Sequence, residues 1–371
     1  MTQILCVAGA RPNFMKIAPV MAALAEAGIA AQLLHTGQHY DAAMSEGFFA
    51  DLGIPQPDHH LEVGSGSHAV QTAEVMKRFE PVLERVQPQA VLVVGDVNST
   101  LACALVAAKR GVRVIHVEAG LRSYDRAMPE EINRVLTDQI SDLLFTTEKS
   151  ALANLQREGI DAARVEFVGN VMIDTLYRNL ERAVPASGTL GAPLADYAVL
   201  TLHRPSNVDH AATLAALLDV VAEINRTLPV VVPLHPRTRG SIEKFGFTSK
   251  LDGLRVLPPL GYLEMLGLMR EAKLVLTDSG GIQEETTALG VPCLTLRTST
   301  ERPITIDEGT NTLVGPDPAA IRAAFADVIA GRGKAGRIPE YWDGRAARRI
   351  AHHLQGWLPQ QKGVRAGGVG R

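Results

Sequence analysis

The chain has 371 residues, 46% hydrophobic and 21% charged, a balance that excludes a disordered or fibrous protein and suits two packed domains. A net charge of −3 gives no global attraction for nucleic acid or an acidic membrane. No stretch approaches the roughly 18 apolar residues of a membrane span. The apolar run at 4–10 stops at Arg11 and lacks the basic flank of a signal peptide, so a cytoplasmic protein is expected.

Short β-branched runs alternate with helical patterns, the signature of parallel sheets with crossover helices. Residues 3–7 read as the first strand, and Phe14, Ile17, Ala18, Met21, Leu24 and Ala25 then recur at helical spacing up to Gly28. A strand is expected at 31–35, an irregular stretch at 37–66 and a helix at 71–86. Strands at 90–94 and 112–117 flank a helix at 101–109. An amphipathic helix follows at 129–143, with Ile132, Val135, Leu136 and Ile140 on one face. Shorter strands are placed at 144–147 and 165–168. The pattern restarts with strands at 198–202, 229–234, 274–277 and 292–296. Helices are expected at 211–225, 263–270, 282–289, 319–330 and 346–358. Between the halves, 182–193 is rich in Pro, Gly and Ala, and the chain is expected to cross between domains near 169–190. Cys6, Cys103 and Cys293 lie far apart in apolar runs and read as reduced core thiols, with no metal-ligand spacing.

In open parallel sheets, ligands sit beyond the carboxyl ends of the strands. Asp96, Glu118, His203, His235 and Asp278 all fall at such ends. Thr277-Asp278-Ser279-Gly280-Gly281 runs a strand into a Gly pair that opens a helix, where free backbone N–H groups and the helix dipole favour an anion. The same pattern fits an ordinary helix start with Ser279 as N-cap. Glu285, one turn in, is placed to accept hydrogen bonds from ribose hydroxyls. The first turn, Gly9-Ala10-Arg11-Pro12-Asn13-Phe14, lacks the second and third glycines of a dinucleotide fingerprint. Arg11 and Lys16 instead put two cations at the ligand edge, suited to phosphates or a carboxylate.

Asp96, Glu118 and Glu130 are acids directed at the same predicted cleft, with Glu131 as neighbour and an i,i+4 pair open to Glu130 and Arg134. Crowded carboxyls separate their pKa values, so that one acts as base while another stays protonated. No H-E-x-x-H, G-x-S-x-G or P-loop motif occurs, which argues against a zinc protease, a serine hydrolase and a P-loop NTPase.

Together these segments resemble the non-hydrolysing UDP-N-acetylglucosamine 2-epimerase family. The likeness runs through Gly9-Ala10-Arg11-Pro12, Thr36-Gly37-Gln38-His39, Gly95-Asp96, His116-Val117-Glu118-Ala119-Gly120-Leu121-Arg122 and Pro129-Glu130-Glu131-Ile132-Asn133-Arg134. It continues through Thr201-Leu202-His203-Arg204, the run from Thr277 to Glu285, and Thr300-Glu301-Arg302-Pro303. The resemblance implies an α/β fold of two Rossmann-like domains facing a central cleft (GT-B type), and a homodimer. The domains would be 1–175 and a UDP-binding 176–344, with a helix at about 345–360 packing back on the first and a loose tail at 362–371. It implies inversion of C2 of a UDP-N-acetylhexosamine, without metal or nicotinamide, by elimination of UDP to a glycal and re-addition. Asp96, Glu118 and Glu130 would be the catalytic carboxylates and His203 would lie near the diphosphate. Arg11, Lys16, Ser279, Gly280, Gly281, Glu285 and Arg302 would hold the nucleotide, and Met265 would contact the uracil. Alternatives are a relative acting on UDP-2,3-diacetamido-glucuronate and a hydrolysing epimerase that releases free N-acetylmannosamine and UDP. His203-Arg204-Pro205-Ser206 and His39-Tyr40-Asp41 depart from the His-Arg-Arg-Glu and His-Arg-Glu of many members, so activation by a second substrate molecule is not expected.

Overall fold

Strands buried on both faces need near-continuous apolar runs, and the short runs along this chain supply them. A computed structural model describes residues 2–38 and 52–360, apart from the side chains of Arg11 and Gln360. The His39-Tyr40-Asp41 departure and the tail at 362–371 lie outside the described residues. The chain divides into two units, Met1–Thr175 with Glu340–Arg371, and Leu176–Pro339.

In the first unit, seven parallel strands are β1 (Ile4–Ala8), β2 (Ala31–His35), β3 (His59–His60), β4 (Ala90–Val94), β5 (Arg113–Ala119), β6 (Leu143–Thr146) and β7 (Val165–Phe167). Their order is β3-β2-β1-β4-β5-β6-β7. The order reverses between β1 and β4, where Cys6 pairs with Leu92, so the ligand edge lies at the carboxyl ends beside that switch. The helices are α1 (Arg11–Glu26), α2 (His68–Val86), α3 (Asn98–Lys109), α4 (Pro129–Ile140), α5 (Lys149–Arg157) and α6 (Val171–Asn179). Helix α2 buries Gln71, Val75, Phe79, Val82 and Leu83, a stripe at helical spacing. It packs with Ala102, Cys103 and Val106 of α3 over Leu5, Val7, Val91 and Val93. Truncating a fully buried Leu such as Leu92 to Ala costs about 2–5 kcal/mol in such a core.

The second unit repeats the permutation with β8 (Ala198–Thr201), β9 (Val230–Pro233), β10 (Arg255–Leu257), β11 (Leu274–Thr277), β12 (Cys293–Thr295) and β13 (Asn311–Leu313), in the order β10-β9-β8-β11-β12-β13. At its switch point the Thr201 and Thr277 hydroxyls bridge β8 and β11 at 2.6 Å. Its helices are α7 (Ala186–Leu190), α8 (Pro205–Val208), α9 (Ala211–Asn225), α10 (Pro236–Phe245), α11 (Tyr262–Glu271), α12 (Gly280–Leu289), α13 (Ile304–Asp307) and α14 (Pro318–Ile329). The Pro-, Gly- and Ala-rich stretch at 182–193 is packed. Ala186 and Leu190 are buried, and Val184 lies so close to Gly267 that a Cβ there would meet the Val184 carbonyl oxygen at 1.7 Å. The units are joined within α6. The last helix, α15 (Ala346–Gln360), packs on α1, and Asp174 of α6 caps it by accepting the amides of Ala346 (3.0 Å) and Ala347 (2.7 Å).

One expectation is corrected. Helix α4 ends at Ile140 and Leu143 already belongs to β6. Ile132 and Leu136, on its expected apolar face, lie outward. Glu131, Asn133, Arg134, Thr137 and Asp138 are buried, while Ile132 and Leu136 are 42% and 46% exposed. The buried face is ionic because it meets charged groups at the ends of β4 and β5, so the apolar face is left outward. Cys6, Cys103 and Cys293 are free and buried, and burial pushes all three thiols up. No helix among the described residues is long and apolar enough to cross a membrane.

Candidate active site

The turn after β1 is built by Asn13, whose Oδ1 accepts the amides of Gly9 (3.1 Å) and Ala10 (2.9 Å) while its Nδ2 donates to the Val94 carbonyl (3.0 Å). This pins the start of α1 to the end of β4, two residues before Asp96. Arg134 donates to Asp96 Oδ2 through Nη2 (2.5 Å) and Nε (3.2 Å), and Asn133 Nδ2 donates to the Asp96 carbonyl (2.9 Å). Glu118 sits at a bulge in β5 with a left-handed φ of 70°. Its Oε2 is 2.5 Å from Lys16 Nζ, and both side chains are buried. A buried carboxylate needs such a partner to stay ionised. Lys16, expected to meet substrate anions, therefore faces Glu118. Arg11 opens α1, but its side chain lies outside the described residues.

The structure separates Glu130 from Glu131. Glu131 is tied down: it accepts from the Ser123 amide and hydroxyl (3.0 Å each), from the Tyr124 amide (2.9 Å) and from Arg134 Nη1 (2.5 Å). Arg134 thus pairs with Glu131 and Asp96, where the sequence had offered Glu130. Glu130 is half-buried and lines a 230 Å³ pocket with Gln38, His68, Gln71, Asn98 and Asn133. The amides there are chained: Gln71 donates to the Gln38 carbonyl (3.1 Å), Asn98 to Gln71 Oε1 (2.8 Å) and Asn133 to Asn98 Oδ1 (3.2 Å). The sequence reading gave no role to Asn98 or Gln71, and paired Arg134 only with Glu130. For Arg134 the signal was its place one turn after two glutamates on one helix face.

In the second unit, Asp278 is fully buried past β11 and organises the end of β8. It accepts the amides of His203 (3.1 Å) and Arg204 (3.0 Å) and Asn207 Nδ2 (3.1 Å), and its Oδ1 is 2.9 Å from His203 Nδ1. Burial pushes this carboxyl up, but the His203 contact and the two amides outweigh it and hold it below its ordinary value. With Nδ1 so engaged, the partly exposed His203 ring turns Nε2 away from Asp278. His235 is exposed; its Nδ1 accepts the Arg237 amide (3.2 Å) at the start of α10.

Ser279 holds the N-cap position of α12, yet its side chain makes no capping hydrogen bond. The first-turn amides of Gly280, Gly281 and Ile282 therefore receive no side-chain cap from it. A Cβ on Gly280 would meet Arg302 Nη1 at 2.5 Å, so only glycine lets that guanidinium pack against the helix start. Arg302 is ion-paired with Glu284 at 2.9 Å and with Glu301, which also holds Arg297 at 2.8 Å. Glu285 is buried beside Tyr262 and Glu284. Burial pushes its carboxyl up to about 8; the Tyr262 hydroxyl opposes the shift and the Glu284 charge adds to it. Met265 is half-buried on α11 and packs on the cluster of Val199, Leu268 and Val275. Among the described residues, no group of three or more His, Cys, Asp or Glu is placed to hold a metal ion.

The family profile described as UDP-N-acetylglucosamine 2-epimerase matches residues 22–355. The UDP-2,3-diacetamido-2,3-dideoxy-D-glucuronate 2-epimerase of Pseudomonas aeruginosa is 43% identical over 360 residues, 95% of this chain and 99% of that protein. The UDP-N-acetylglucosamine 2-epimerase of Methanocaldococcus jannaschii is 41% identical over 356 residues, 93% and 97% of the two chains. A crystal structure of the M. jannaschii enzyme, in complex with UDP-GlcNAc and UDP, matches with a TM-score of 0.89 at 39% identity. It covers 95% of this chain and 99% of that one. With matches of this extent over both units, the chain belongs to the UDP-N-acetylglucosamine 2-epimerase family.

Proposed function

We propose that this enzyme inverts C2 of a UDP-N-acetylhexosamine, converting UDP-GlcNAc to its manno epimer. The C2 proton of such a sugar has no adjacent carbonyl, so simple deprotonation is out of reach. Elimination solves this: the C2–H and C1–O bonds break, a C1=C2 double bond forms, and UDP leaves. The bond from C1 to UDP then reforms while C2 receives a proton on its opposite face. Proton acceptors and donors are needed on both faces, each worth about 10²–10⁴-fold. The observation that carries this reading is three carboxylates borne by neighbouring elements in three different settings. Glu118 is paired with a buried ammonium, Asp96 is held by a guanidinium, and Glu130 lines a pocket of amides. Departure of UDP calls for cations and amide donors, and His203 with the start of α12 supports that role.

A second reading rests on the 43% identity to the diacetamido-glucuronate epimerase, which leaves the sugar's C3 and C6 substituents open. Incubation with each UDP-sugar, followed by NMR of the products, tests both. A manno-configured UDP-sugar is expected from one of them, whereas free sugar accumulating with UDP would instead make this a hydrolysing epimerase. The enzyme is further proposed to work as a homodimer joined through α4. Its exposed Ile132 and Leu136 line, with Tyr124 and Arg126, a 420 Å³ groove. An exposed apolar groove of this kind suits a two-fold contact between copies.

A further inference from the structure

Behind the carboxylates of the first unit lies a buried pair that the reading above leaves without a role. His116 on β5 and Asp138 on α4 are fully buried, with Nδ1 and Oδ1 2.6 Å apart. The other ring nitrogen, Nε2, is 2.8 Å from the Gly95 carbonyl, which only accepts, so Nε2 carries the hydrogen. Gly95 directly precedes Asp96. Asp138 Oδ2 accepts the Gly120 amide (3.1 Å) and Arg122 Nη2 (2.7 Å). Arg122 is steadied in turn by Glu158 through Nε (2.8 Å) and Nη2 (2.6 Å).

One carboxylate therefore grips β5 two residues before Glu118 and two residues after it. Between those grips Glu118 adopts its left-handed conformation, which a non-glycine residue keeps only where its surroundings over-determine it. The same pair reaches across to β4 through Gly95 and is itself carried by α4. The three elements bearing Asp96, Glu118 and Glu130 thus meet at one hydrogen-bonded junction. Buried ion pairs rarely stabilise a fold more than apolar packing of the same volume would. What such a pair adds is direction.

We infer that His116 and Asp138, braced by Arg122, are positioning residues that set the orientation of the Glu118 and Asp96 carboxylates for proton exchange at C2. This rests on the proposed role of those carboxylates. The test uses full-length Asp138→Asn, Asp138→Ala and His116→Gln, with Glu118→Gln alongside. Turnover of the UDP-sugar that wild type epimerises is measured, together with UDP affinity by calorimetry. In Asp138→Asn and His116→Gln, kcat should fall about 10- to 100-fold with KM within about 3-fold. UDP affinity should be unchanged, and Asp138→Ala should fall further than Asp138→Asn, which keeps an acceptor. Should Asp138→Ala fail to fold, the two conservative variants decide. Wild-type kcat in both, or a loss matched by an equal loss of UDP affinity, overturns the inference. If Glu118→Gln is inactive while they turn over normally, only the positioning role falls. If Glu118→Gln is itself fully active, the reading beneath it falls.

Discussion

At the scale of single residues, the ribose contact proposed for Glu285 would tie protonation to ligand binding. Its carboxyl, pushed up to about 8 by burial, is largely neutral near pH 7 in the empty site. Ribose hydroxyls donating to it would favour the carboxylate and lower that pKa in the complex. UDP binding should then release a proton near pH 7 and tighten as pH rises towards about 8, levelling off above it. Calorimetry in buffers of different ionisation enthalpy checks this; Glu285→Gln should abolish the dependence, and a pH-independent affinity in wild type would contradict the assignment. Much at this scale was legible beforehand, because Asp96, Glu118 and Asp278 stand at strand ends that short, near-continuous apolar runs mark out. The partners were not. Nothing local in the sequence pairs Lys16 with Glu118 or His203 with Asp278, since each contact joins segments far apart in the chain.

At the scale of elements, helices that bury an apolar stripe were readable, whereas one that buries charge could be read only as two faces. Helix α4 is that case: its apolar face was legible, but nothing local shows that Glu131, Arg134 and Asp138 are the buried side. Helix α10 buries only Thr238 and Ile242, so no stripe announced it, and β3 is two histidines. The return helix α15 depends on its cap. Asp174→Ala should lose about 0.5–2 kcal/mol of stability in a denaturant titration. Burial raises the Asp174 carboxyl to about 6, against the Ala347 and Ala346 amides. A group raised in the folded state stabilises fully below its unfolded value of about 4 and loses that contribution as pH rises through about 6. Stability of the wild type should therefore fall over that window more than that of the variant. An unchanged difference between the two across the window would contradict this.

At the scale of the molecule, two sheets whose strand orders correspond over six strands, the first sheet adding a seventh, each present a switch point, one set with carboxylates and the other with a cation-lined helix start. The alternation of strands and helices made this division legible, while the packing of the 182–193 segment was not, because Ala and Gly carry little apolar signal. The exposed α4 ridge predicts that Leu136→Glu is a monomer by light scattering where wild type is a dimer; a monomeric wild type would refute the interface. The central claim is that the first unit's acids exchange the C2 proton of a UDP-sugar. NMR of the substrate turning over in D₂O tests it most directly. Wild type should place deuterium at C2 of the product, and Asp96→Asn, Glu118→Gln and Glu130→Gln should each slow that incorporation by about 10²-fold or more. Product formed without deuterium at C2, or incorporation at the wild-type rate in all three variants, would contradict the account.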